Sequence, residues 1–139
     1  MSTIPPDVYE YVGDLAAGIT NAGLADDPAL AESLYLQLQA YHEERLAAGR
    51  GHPFTSETLA DYTHDPAQAL AYYQQALAMS RQMTSDEPTH TILIGIGERL
   101  IELEQCEQAE AFIRDGRVEA VRRGDTDWVR EADELVGEA

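Results

Sequence analysis

Residues 91–116 read TILIGIGERLIELEQCEQAEAFIRDG, and this stretch decides the fold class. Leu93, Ile96, Leu100 and Leu103 recur at the spacing of one helix face, and after a bend near Gln105 the residues Ala109, Phe112, Ile113, Gly116 and Ala120 repeat it. The apolar run Ile92 to Ile96 is of strand length, yet it sits inside the longer helical period. No segment alternates apolar and polar residues with β-branched enrichment, so the chain is read as all-α.

The same period extends in both directions. Val8, Val12, Leu15 and Ile19 share one face of a first helix that Gly23 can close. Asp27 can cap a second helix with Pro28 in its first turn and Leu30, Leu34, Leu38 and Tyr41 as its inner stripe, running toward Gly49. Residues 50–53 read as a loop, and 56–63 as a short, weakly apolar helix. Asp65 and Pro66 repeat the cap-and-proline start, with Ala69, Tyr72, Tyr73, Ala76, Leu77 and Met83 facing inward. Another helix begins near Pro88. Gly124 and Asp125 precede a terminal helix with Trp128, Val129, Ala132, Leu135 and Val136 on one side and Arg130, Glu131, Asp133, Glu134 and Glu138 on the other.

At 139 residues the chain is sized for one domain, and about seven helices with short connections fit a bundle or a stack of helical hairpins. Self-comparison favours the stack. Residues 27–43 laid over 65–81 match at Asp27/Asp65, Pro28/Pro66, Ala31/Ala69 and Tyr35/Tyr73, and a further shift of about 40 residues pairs Ala69 with Ala109 and Tyr72 with Phe112.

On these residues the chain resembles the tetratricopeptide repeat family, whose pattern W-x2-L-G-x2-Y then A-x3-F describes a helix pair packed through small residues. Leu93, Ile96, Gly97 and Leu100 take the first half of the pattern and Ala109 with Ile113 the second. The resemblance makes Gly97 and Ala109 the small residues at which two helix backbones approach. It extends to Tyr9, Val12, Gly13 and Ala16 with Ala31 and Tyr35, where the hairpin connection would be about six residues longer, and to Ala69, Tyr73 and Ala76. It implies repeats over 6–48, 52–83 and 88–123 and a capping helix over 125–138.

The charge is −17, from 26 acidic residues against 9 basic ones, and every basic residue is arginine. Such a surface repels phosphate and anionic lipid, which disfavours nucleic acid and membrane surfaces; it would draw in a basic protein partner, and it equally fits acidity that serves only solubility or a salty cytoplasm. The first residues, MSTIPPDVYE, hold neither a basic segment nor a long apolar run, so a cytoplasmic location is expected.

No chemistry-bearing motif stands out. His42-Glu43-Glu44-Arg45 lacks the second histidine of a zinc helix, and Asp61, His64 and Asp65 read as a helix end followed by an N-cap. Cys106 is the only cysteine and reads as a small packed residue. Without lysine there is no Schiff base, and no phosphate-binding glycine loop is present. No enzyme activity, cofactor or metal is expected. Glu110–Arg114, Glu119–Arg123 and Arg130–Glu134 are spaced as ion pairs on solvated faces.

In tetratricopeptide arrays the first helix of each pair lines a groove. The resemblance places Asp7, Glu10 and Asp14, and Ile94, Glu98, Ile101 and Glu102, in that groove, with Tyr62 as a further anchor. Members that grip chaperone C-termini use Lys, Arg and Asn there, which this chain lacks. The expectation is an interaction module whose acidic groove holds a basic partner segment, with self-association compatible. The alternative is an acidic inhibitor or immunity-type protein that blocks a nuclease or another nucleic-acid-binding enzyme.

Overall fold

The computed structural model describes residues 4–138, and within them the chain is all-helical: α1 (Pro6–Leu24), α2 (Pro28–Ala47), α3 (Pro53–Asp61), α4 (Pro66–Gln82), α5 (His90–Glu102), α6 (Cys106–Arg122) and α7 (Thr126–Glu138). Proline opens each of the first four helices, where its missing N–H has no helical acceptor to lose. The Asp27 carboxylate accepts from the Leu30 amide at 3.1 Å and Asp65 from the Gln68 amide at 3.1 Å, so the two sequence-related starts are capped alike. The short helix starts three residues before the expected 56. His52 caps it, its Nδ1 accepting from the Phe54 amide at 3.0 Å.

Helix ends repeat as well. The connections 25–27 and 103–105 each place their middle residue in the left-handed region, Asp26 at φ 54° and Glu104 at φ 61°. In both, the last residue's amide returns to a carbonyl five positions back, Asp27 to Ala22 and Gln105 to Leu100, each at 2.8 Å.

Each helix packs on the next, and α1 also meets α3 while α5 meets α7. Tyr9 stacks on Phe54 near the start of α1 and α3, and the Thr20 and Tyr62 hydroxyls meet at 2.8 Å near their ends, so α1 and α3 run parallel. Helices α2 and α4 are also parallel, through Gln39 donating to the Tyr72 hydroxyl and His42 bonded to Gln75, both at 2.9 Å. Buried His42 has both ring nitrogens engaged: Nε2–H donates to Gln75 and Nδ1 accepts from the Ser56 hydroxyl at 3.3 Å.

The core centres on α5, where Ile92, Leu93, Ile94, Gly95, Ile96 and Gly97 are all buried, because α4, α6 and α7 surround it. A β-carbon on Gly97 would fall inside the Ile113 side chain, with the Ala109 carbonyl 3.4 Å away, and one on Gly116 would lie 2.6 Å from Ile94. These are close backbone approaches that a larger residue blocks.

Four readings change. A β-carbon on Gly13 would meet open space, and the close contact in the first hairpin falls at Gly18 against Leu34. The cause is helix length: α1 has 19 residues and α5 has 13, while both are followed by three-residue connections, so the extra residues lengthen the helix and not the loop. In the α2 stripe Leu38 is buried, but Leu30 is 47% exposed and Leu34 and Tyr41 are half-buried, since α2 packs chiefly on α1 and only lightly on α3. Val136 is 53% exposed, outside the face of α7 that buries Ala132 and Leu135. Glu119 pairs with Arg123 at 2.7 Å, whereas Arg130 pairs with Asp127 at 3.6 Å instead of Glu134, and no ion pair joins Glu110 to Arg114 among the described residues.

Gly97→Ala is expected to lower unfolding free energy by about 1–3 kcal/mol in urea titrations, by overpacking against Ile113. Gly13→Ala is expected to raise it by up to about 1 kcal/mol, because the helical glycine gains propensity at no steric cost. Equal effects at the two positions would contradict this packing.

Candidate functional site: an acidic seam between α3 and α5

Nine-residue α3 uses one face for packing, burying Thr55, Ser56, Leu59 and Ala60, and turns Glu57 and Asp61 toward α5. Carboxylates at i and i+4 share a helix face and repel. Each is held by a hydroxyl: Thr91 on α5 donates to Glu57 at 2.5 Å, and Tyr73 on α4 donates to Asp61 at 2.5 Å. Neither carboxylate forms an ion pair among the described residues.

Burial pushes the Glu57 carboxyl up to about 7, with Asp61 adding to the rise and the Thr91 hydroxyl opposing it. Burial raises Asp61 too, with Tyr73 and Arg99 opposing and Glu98 adding. Asp61 sits at an exposed helix end, so solvent screens it more, and titration of the seam rests on Glu57. The Tyr73 hydroxyl is held above its ordinary range by burial and then by Asp61. Its ring lies where a β-carbon on Gly95 would come within 2.9 Å, so Gly95 admits the tyrosine that holds Asp61.

On α5, Thr91, Glu98 and Glu102 lie within about 40° of one another at 100° per residue, on the edge that meets α3. Arg99 donates to Glu98 at 2.9 Å and lies 3.5 Å from Glu102, while its buried Nε finds no acceptor among the described residues. The seam therefore sets Asp61, Glu98 and Glu102 within reach of one guanidinium, with Glu57 further along beside Thr91. That arrangement can attract a cation, but among the described residues no three His, Cys, Asp or Glu side chains stand close enough together to hold a metal ion.

Of the residues read as groove-lining, Glu98 and Glu102 are in the seam. Ile94 is not: it is fully buried against α6 beside Gly116, so it packs the core and cannot anchor a partner. Ile101 is half-buried. Glu10 is exposed on α1. Asp7 and Asp14 are exposed too, but lie roughly 140° around α1 from Tyr9 and Thr20, which face α3. Tyr62 is half-buried and lines a separate cleft at the hairpin turns. Glu57 is not paired with Asp61 in the sequence reading, although their i,i+4 spacing is visible there. Cys106 is half-buried at the start of α6.

No known family model, curated protein or solved structure matches the chain.

Because Glu57 holds its proton in the folded state up to about 7, against 4.5 ordinarily, its contribution to stability falls as pH rises through that window and levels off above it. Glu57→Gln keeps an acceptor for Thr91 and removes the titration. The stability of this variant relative to wild type is expected to rise between pH 5 and pH 8 in chemical denaturation, and a difference constant over that window would contradict the burial of Glu57.

Proposed function

We propose that this chain is a protein-interaction module of tetratricopeptide-like build, whose acidic seam holds a basic segment of a partner protein. The parallel pairs α1/α3 and α2/α4, and packing that runs from each helix to the next, support an open stack of three hairpins closed by α7. Of the two outer surfaces, the side bearing α3 and α5 carries the seam.

The observation that carries the reading is Glu57, a buried carboxyl met by the Thr91 hydroxyl and by no cation among the described residues, with Asp61 one turn further along held by Tyr73 and reached by Arg99 only beyond ion-pair distance. Burial without a counter-charge holds Glu57 protonated up to about 7, so an incoming cation would favour its ionised form and gain a charge-assisted contact. The net charge of −17 adds long-range attraction, which speeds encounter with a basic segment and weakens with salt. Half-buried Ile101 beside Glu98 and Glu102 supplies apolar contact that lengthens residence.

The double reversal Glu98→Arg with Glu102→Arg is expected to weaken binding of a fluorescent hexa-arginine peptide at least tenfold at low salt. Asp7→Arg with Asp14→Arg, the same charge change on the far side of α1, is expected to weaken it less than threefold. Equal losses from both pairs would mean that only net charge matters and would sink the seam as a site.

A further inference from the structure

We propose that the cleft between the first two hairpin turns is an anchor pocket for one arginine side chain of the basic segment, an inference that rests on the interaction reading above. The cleft has a volume of about 610 Å³, within the range of ordinary ligand pockets and ample for one long side chain. Ile19 of α1, Glu32 and Tyr35 of α2, and Tyr62, His64 and Asp65 of the α3–α4 connection line it.

Both tyrosines are fixed by their hydroxyls. Thr63 spends its own hydrogen on the Leu59 carbonyl at 2.7 Å, so the Tyr35 hydroxyl donates to Thr63, also at 2.7 Å. The Tyr62 hydroxyl is bonded to Thr20 at 2.8 Å. With the polar ends engaged, the two side chains offer their rings in preset positions, which lowers the ordering cost of a guest. Aromatic rings beside carboxylates, with no arginine in the lining, suit a guanidinium: the ring faces attract the cation and Glu32 can accept its N–H groups.

The N-termini of α2 and α4 also open here, and each brings about half a positive charge, which alone would favour an anion. Asp27 and Asp65 already cap those termini, one full negative charge for each half. Glu32, which has no ion pair among the described residues, tips the balance further toward a cation. Tyr62 follows Asp61 directly at the end of α3, so the cleft and the Asp61 part of the seam lie at the same end of that helix, and in this proposal one extended segment reaches both.

The test compares hexa-arginine and hexa-lysine peptides by fluorescence titration on folded variants of the full chain. For hexa-arginine, Tyr62→Leu and Glu32→Arg are each expected to weaken binding at least fivefold and Tyr62→Phe less than twofold. Hexa-lysine should lose less from Tyr62→Leu, since an ammonium stacks less well. Should Tyr62→Leu fail to fold, the exposed Glu32→Arg gives the same readout. Wild-type affinity in both cleft variants, with the Glu98 and Glu102 reversal still damaging, overturns the pocket and leaves the seam standing. Loss in the cleft variants alone supports the pocket and removes the seam. No binding of either peptide at low salt overturns both.

Discussion

The close approach of α5 and α6 is the constraint on which the rest depends. Gly97 lies against the Ile113 side chain and the Ala109 carbonyl, and Gly116 lies against the Ile94 side chain, so each isoleucine seats where the facing helix has no β-carbon. Dispersion contacts fall steeply with distance, so this contact holds only while both positions stay small. With α6 seated, α5 is enclosed on its other sides by α4 and α7, and its six-residue apolar run disappears from solvent.

That enclosure decides where α5 can be polar. Thr91, Glu98 and Glu102 occupy the edge left over, and this edge meets the outer face of α3. The third glycine, Gly95, lets the Tyr73 ring slide beneath, and the tyrosine hydroxyl in turn holds Asp61. The acidic seam is thus a by-product of core packing: small residues bring the helices in, and the carboxylates gather where the remaining edges face one another. Arg99 pairs with Glu98 and Glu102, whereas Glu57 and Asp61 are held by neutral hydroxyls, which satisfies their charge less than an arginine at each would.

Local chemistry made much of this legible from residues alone. Asp27-Pro28 and Asp65-Pro66 state two helix starts outright, because capping and the proline ring act within one turn. The packing of Gly97 against Ala109 and Ile113 was readable because glycine and alanine inside apolar stripes have few other uses. What escaped reading were quantities set by neighbours. Ile94 looks like a surface anchor by register, and only the number of helices around α5 buries it. Gly13 looks like the packing glycine until the extra length of α1 shifts the contact to Gly18. Glu57 and Asp61 lie on a helix whose own pattern is weak, and their meaning comes from α5, some 34 residues further along the chain.

The most direct test of the central claim is where a basic segment touches the molecule. Amide chemical shifts of isotope-labelled protein, followed at low salt as hexa-arginine is added, report this residue by residue. The account expects the largest changes at residues 57–65 and 98–102, saturating together and fading as salt is raised. Changes centred on the outer faces of α2 and α6, or spread evenly over every acidic residue, would contradict it.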